Sequence, residues 1–351
     1  MAIGFTTALS DPATPPAGFG NGCAVSPDGA YLAVAHDVSP YVSVYPLAGD
    51  ALGAKVANPA TLPTGTGQGV AWNPAGTYIA VSHTTTPFIT VYPWSGGAFG
   101  TKVADPGTLP AGDGRKVAWS PDGAYVGLAC VTTPFIAVYP FTTGFGAKVT
   151  DPASLPSTAG RGIAWNPAGT YIAMTTTTTP FVHAWPWSAG FGTKVSNPAT
   201  LPPSNSPSLG WSPDGAYVVV AHTLTPFMSA YPFTTGFGSK LSDAASLPGG
   251  GGAVTFSPAG DYVVMAEPNT PFVHAWPWSA GFGTKLSNPG TLPPGNSTFV
   301  AFKSGSGVVV ASGTTPFVRA YADAIPGQGP QGHLINADSI ASLVNSGLIA
   351  A

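Results

Sequence analysis

Residues 69–99 read GVAWNPAGTYIAVSHTTTPFITVYPWSGGAF, with apolar positions in short runs and no long stripe. Val70 and Trp72, Ile79 and Val81, then Ile89 and Val91 each skip one residue. That period of two is the spacing of a strand with one buried face, and the β-branched and aromatic content agrees with it. Between the first two runs stands N-P-A-G, where proline presets φ and glycine supplies a left-handed turn position. T-T-T-P separates the second run from the third. A fourth run, FGTKVA, precedes a proline-laden connection, DPGTLPAGDGR. Gly and Pro return too often for long helices.

The same unit recurs along the chain. The proline of the TPF-like turn falls at Pro40, Pro87, Pro134, Pro180, Pro226, Pro271 and Pro316, at intervals of 47, 47, 46, 46, 45 and 45 residues. The proline of SPDG or NPAG keeps step at Pro27, Pro74, Pro121, Pro167, Pro213 and Pro258, and the seventh copy has degenerated to KSGSG around Ser304. Four short strands at this period are the signature of a β-propeller blade. The text KVANPATLP returns in six outer strands but is missing after the last third strand, FVRAYAD. It stands instead at the start of the chain, as GFTTALSDPATPP over residues 4–16. The pattern therefore predicts an all-β fold: a seven-bladed β-propeller of four-stranded blades over residues 1–323. The N-terminal strand, about 4–10, completes the last blade, so that no sheet edge is left broken. Residues 324–351 form a second segment, a Gly/Pro linker and a short helix.

SPDGAYLAVAH followed by TPFITVYPW resembles the WD-repeat-like propellers related to YVTN-type repeats. More narrowly, it is similar to the version found in tailed-bacteriophage structural proteins, over roughly residues 4 to 323. The Trp-Asp ending of eukaryotic WD repeats is replaced here by Tyr-Pro-Trp, Tyr-Pro-Phe or Trp-Pro-Trp. The resemblance implies a virion component: a decoration, fibre or tail-associated protein.

Composition narrows the setting. Charged residues make up 7% of the 351, against roughly 25% in an average soluble domain. Such a surface must be covered by Thr, Ser, Gly, Pro and Asn, as in proteins packed into an assembly or living outside the cytosol. The formal net charge of -3 offers no pull toward a phosphate backbone, so no nucleic-acid partner is expected. No window reaches the apolar length of a membrane span, and the first residues lack a basic start and a long apolar run, so neither membrane insertion nor a signal peptide is expected. Cys23 and Cys130 fall in different repeats and read as small buried apolar groups.

Candidate chemistry lies where the repeats differ. Six residues before each hairpin proline, or its Ser304 equivalent, stand Asn21, Gln68, Arg115, Arg161, Pro207, Gly252 and Thr298, with Lys116 beside Arg115. Two of only three arginines thus occupy equivalent sites in adjacent blades near the axial opening. Asn21, Gln68, Arg115, Lys116 and Arg161 are the candidate ligand-binding residues, for an acidic sugar or other carboxylate that arginine's planar fork suits. The bland alternative is a pair of solvated loop arginines bonded to neighbours such as Asp113.

Four residues before each TPF proline stand His36, His83, Cys130, Thr176, His222, Glu267 and Ser312. Metal ligands must converge within about 2–2.3 Å of one ion, whereas equivalent positions in successive blades lie a blade's width apart. No metal site is therefore expected, and each histidine is expected to bond the Thr-rich turn beside it. Trp94, Trp185, Trp187, Trp276 and Trp278 read as wedges between blades rather than sugar-stacking platforms, and His183 and His274 as products of duplication. Lys55, Lys102, Lys148, Lys194, Lys240 and Lys285, one per outer strand, read as charges that blunt a strand edge.

Among the motifs, no G-x-S-x-G, H-E-x-x-H, P-loop or dinucleotide fingerprint is present. The 14 carboxylates sit mostly in turns, and the channel-lining first strands are nearly devoid of acids. No catalytic residue and no cofactor is expected. In the tail, Asn336 or Asp338 can cap a helix on which Ile340, Leu343, Val344 and Leu348 share a face. So short a helix needs something to lie against, which makes those four residues the candidate docking contacts. The expectation is a non-enzymatic binding propeller of a phage particle, its partners being other virion proteins or itself and a host-surface or environmental glycan. The alternatives are a propeller hydrolase or lactonase, and a cellular interaction scaffold.

Overall fold

Seven antiparallel sheets repeat one plan in the computed structural model, which describes residues 7–48, 51–302 and 307–322. Ser304 and the linker and helix of 324–351, with Ile340, Leu343, Val344 and Leu348, lie outside the described residues. In the first blade the strands run Gly20–Val25, Tyr31–His36 and Val42–Ala48, each hydrogen-bonded to the next. The innermost strands of the other six are Gly67–Trp72, Gly114–Trp119, Gly160–Trp165, Ser208–Trp211, Val254–Phe256 and Ser297–Phe302. They pack side by side in chain order, and the seventh returns to the first.

The chain's two ends meet in the last sheet. Its strand order is Thr7–Ala8, Val318–Ala322, Val308–Ser312 and Ser297–Phe302, with Thr7 opposite Ala322 and Ala8 opposite Tyr321. Leu9 N then donates to Ala320 O at 2.8 Å, as Val103 N does to Val91 O at 2.9 Å in the second blade. The seven-bladed, N-terminally closed propeller expected from the repeat is therefore the fold.

Burial explains why one blade could not stand alone. The apolar residues form seven clusters among the described residues, each shared by two neighbouring sheets. Ala33, Val42 and Val44 of the first blade pack with Trp72, Ile79, Tyr92 and Trp94 of the second. The aromatic-proline-aromatic ending has two jobs here. Its first ring donates outward: Tyr92 Oη reaches Thr61 O at 2.7 Å, Tyr139 Oη reaches Thr108 O at 2.8 Å, and Trp185 Nε1 reaches Ser154 O at 3.2 Å. That bond pins the connection leading in from the preceding blade. Its second ring fills the seam, as Trp94 does edge-on to Tyr31 and Trp72, both centroids 5.1 Å away. All five tryptophans expected as wedges are buried.

The outer edge of each blade is less regular than its inner strands. The outermost strands are not regular ladders like the inner three. They shrink to Ala51–Leu52 and Ala98–Phe99, or to single bridges such as Phe141 with Phe145. In the first six blades the cause is a proline in the third strand; the seventh, Val318–Ala322, has none. Gly100 N bonds Pro93 O at 2.8 Å, and a Cβ there would stand 3.0 Å from the proline's own Cβ. The edge bulges around the ring, and a proline has no N–H with which to extend the ladder.

The outer lysines are each held by an Asn or Asp three residues on, Lys55 by Asn58 and Lys102 by Asp105 among them. They form no free basic rim. In the hairpins, Asp28 Oδ1 accepts from Ser26 Oγ and from Ala30 N at 3.0 Å. The Ser26 hydroxyl first, and the Ala30 amide next, hold that carboxyl below its usual range. Cys23 and Cys130 are buried free thiols, both pushed up to about 12 by burial.

Candidate functional site

Each inner strand of the first four blades begins with a glycine, and the residue after it is squeezed out of the ladder. Gly114 opposes Cys130 and Lys116 opposes Ala129, which leaves Arg115 as a bulge. The same shift falls at Asn21, at Gln68, across Arg161 and Gly162, and at Thr298 in the seventh blade. A bulge kinks its strand and re-aims a side chain, and here it turns five variable residues toward the axis.

They meet in one cavity of about 270 Å³ at the mouth of the propeller. All seven blades contribute. Asn21, Gln68, Arg115, Lys116 and Arg161 come from the first four, and Pro207 and Ser208 from the fifth. The sixth offers the backbone of Gly251 and Gly252, and the seventh Asn296 to Phe299. The five residues chosen from the sequence are thus brought together. Sequence reasoning missed Asn296 and the bare backbone of the sixth blade. The run GGGG at 249–252 was the available signal: a Cβ on Gly251 would stand 1.9 Å from His222 O.

Lys116 behaves differently from its neighbours. Its ammonium crosses the mouth to donate to Asn21 O at 2.6 Å and Gln68 O at 2.8 Å, and lies 4.5 Å from the centre of the Phe299 ring. A glycine clears its path, since a Cβ on Gly69 would meet Lys116 Cα at 3.2 Å. Lys116 and Phe299 also line a second, deeper cavity of about 60 Å³ with Val70, Ile163 and Leu209. The two side chains are a septum between a polar mouth and an apolar well.

The mouth is electropositive and without counter-charge. Among the described residues no carboxylate lies within 4.0 Å of Arg115, Lys116 or Arg161, so the alternative pairing with Asp113 does not form. Arg115 Nη1 donates to Gln68 Oε1 at 3.3 Å, while Arg161 Nε is buried and bonds no acceptor. Burial pushes the Lys116 ammonium down to about 8, with Arg115 and Arg161 adding repulsion. Burial, then Arg115, lowers Arg161. Like charges held together in a partly desolvated pocket favour an anion between them.

The histidines sit elsewhere. His36, His83 and His222 are buried, and their Nε2 atoms meet Ser43 Oγ at 3.0 Å, Thr90 Oγ1 at 2.9 Å and Ser229 Oγ at 3.0 Å. A hydroxyl seven residues on, across the sheet, is thus a partner of each, and the expected turn acts as well: through the backbone of Val38 on His36, of Thr85 on His83, and of Leu224 on His222, whose Nδ1 lies 2.7 Å from Leu224 O. In the fourth and sixth blades the pair is reversed. His183 Nε2 lies 3.4 Å from Thr176 Oγ1, and His274 Nδ1 lies 3.2 Å from Glu267 Oε1. His183 and His274 are the second members of a repeated buried polar pair, a spacing legible in the sequence that reading for single positions overlooked. No cluster of metal-ligating side chains forms among the described residues.

No family model matches the chain, and no curated protein does. The structure is similar to that of hydrazine synthase from Kuenenia stuttgartiensis, with a TM-score of 0.68 at 15% identity, over 90% of this chain and 97% of that one. It is similar as well to the β-propeller domain of Cps50 (Swd1) from Myceliophteria thermophila, with a TM-score of 0.65 at 11% identity, over 90% and 98% of the two chains. At these identities the likeness is one of fold.

Proposed function

We propose that this propeller is a non-catalytic binding module that holds an anionic group at its axial mouth. One observation carries the reading: Arg115, Lys116 and Arg161 converge on a single cavity with no carboxylate within 4.0 Å among the described residues. Catalysis would ask for a poised acid, base or nucleophile at the same place. The cavity's lining offers three cations, amides, hydroxyls and glycine backbone; Lys116, the one group shifted toward a base's range, is spent on the Asn21 and Gln68 carbonyls. Lys116 and Phe299 give the pocket a floor, and the bulged strands aim its side chains inward. A ligand is then held, not turned over.

The wider setting we propose is a bacteriophage particle, with the disc as a decoration, fibre or tail-associated protein. The SPDG and TPF repeats support it through their resemblance, and so does a chain only 7% charged. Calorimetric titration of the whole chain with small anions at fixed ionic strength tests the pocket, with Arg115→Gln/Arg161→Gln as control. Saturable one-to-one binding lost in that double variant is the expected result, and binding unchanged by it overturns the reading. Mass spectrometry of purified particles tests the setting.

A further inference from the structure

We infer that the ligand of the mouth is the terminal unit of a chain, a hydroxylated carboxylic acid of the sugar-acid class, inserted end-on. The inference rests on the anion-binding reading above and narrows it in two respects.

The first is the division of the lining. Cations stand on the third and fourth blades only, whereas uncharged hydrogen-bonding groups occupy the rest of the rim. Those groups are only partly used. Asn21 spends its Nδ2 on Gly67 O at 2.9 Å and keeps Oδ1 as an acceptor, and Gln68 spends Oε1 on Arg115 and keeps its amide hydrogens. Asn296 brings a third amide from the seventh blade, beside the first. A fully deprotonated inorganic anion would satisfy the arginines and the amide hydrogens but, having no donor, would leave Asn21 Oδ1 idle. A carboxylate carrying several hydroxyls engages both halves, because a hydroxyl donates to Asn21 Oδ1 and accepts from Gln68 Nε2. A cavity of about 270 Å³ accommodates a unit of monosaccharide size.

The second is the floor. Lys116 and Phe299 stand between the mouth and the well, and the well's volume of about 60 Å³ is too small for a sugar unit, so a polymer does not thread the axis. Only a chain end reaches Arg115 and Arg161, and the remainder must leave through the opening by which it came.

The test is calorimetry of the full chain at fixed ionic strength with methyl glucuronoside, its uncharged methyl ester, methyl glucoside, acetate and sulfate. Two oligosaccharides follow, one with the uronic acid at the non-reducing end and one with it capped on both sides. Methyl glucuronoside should bind at least about tenfold more tightly than the ester, methyl glucoside and acetate, since each comparison removes hydrogen bonds to a charged group or to the amides. The capped acid should bind at least about tenfold more weakly than the terminal one. Arg115→Gln/Arg161→Gln should abolish the preference, while Lys240→Gln on the rim should leave it intact and control for folding. Acetate or sulfate binding as well as the glucuronoside overturns the sugar-acid assignment and leaves the anion site standing. Equal binding of the capped acid overturns end-on insertion. Absence of binding by every anion removes both readings.

Discussion

Lys116 Nζ lies 4.5 Å from the centroid of the Phe299 ring, so a cation from the third blade and an aromatic face from the seventh close the axis between them. The same ammonium holds the carbonyls of Asn21 and Gln68, in the first and second blades. One side chain thus ties four blades together at the place where their inner strands crowd most.

Replacing it tests that role. Lys116→Met keeps the length of the stem but leaves the Asn21 and Gln68 carbonyls without their donor. Losing a partner for a desolvated acceptor costs about 1–3 kcal/mol, so the midpoint of chemical denaturation should fall by a matching amount. An unchanged midpoint would show that the bridge no more than offsets the cost of burying the ammonium beside Arg115 and Arg161.

Arg115 and Arg161 repel each other from adjacent blades, the repulsion being part of what lowers Arg161. Arg161→Gln relieves it and frees no carboxylate, so the unliganded variant should be as stable as the parent or slightly more so. A bound anion reverses the order: at a hundred times its Kd it stabilises the parent by about 2.7 kcal/mol and the variant much less. Thermal unfolding with and without methyl glucuronoside separates the two effects.

Closure of the ring rests on a few residues before Asp11. Leu9 is buried among Leu32, Val34, Val309 and Val318, and its amide bonds Ala320. Leu9→Ala should destabilise by about 2–4 kcal/mol. The Arg319–Asp11 ion pair, with Nη2 to Oδ2 at 2.7 Å, leaves Asp11 40% exposed, and Asp11→Asn should cost no more than about 1 kcal/mol. Equal losses from the two substitutions would mean that packing of the leading strand does not decide closure.

Acid should loosen the fold. Burial holds His36, His83, His183, His222 and His274 down at about 4, against an ordinary 6.5. Between those values the unfolded chain takes up protons that the folded one refuses, so their contribution is complete above pH 6.5 and is lost as pH falls toward 4. Glu267 acts in the opposite sense. Burial raises it from 4.5 to about 6, so the folded carboxyl binds a proton first and its contribution grows as pH falls through that window. Five imidazoles outweigh one carboxyl. The melting temperature should fall from pH 6.5 to pH 4.5, and His222→Gln should shallow the slope.

The repeat was legible because a strand's period of two and its turn residues are local properties. N-P-A-G, S-P-D-G and the TPF proline recur wherever the backbone must turn, whatever lies across the sheet. The displaced GFTTALSDPATPP made even the closure readable, since a missing outer strand leaves an unpaired edge that something must fill. Less was legible at the outer edge, where each third-strand proline withholds an N–H and the expected ladder shrinks to a bridge. The paired positions His36 with Ser43 and Glu267 with His274 went unread because their meaning depends on register between two strands.

The sequence alone determined the number of blades, their order and the residues that break the pattern, since all of these follow from chain-local chemistry repeated at a constant interval. Only the tertiary structure decided that Asn21, Gln68, Arg115, Lys116 and Arg161 share one cavity, that Asp113 leaves the arginines unpaired, and that Lys116 meets Phe299. Those facts depend on bulges that re-aim single side chains and on a ring that brings residue 299 beside residue 116. Distances across an axis are set by closure of the whole sheet system, and no segment of the chain carries them by itself.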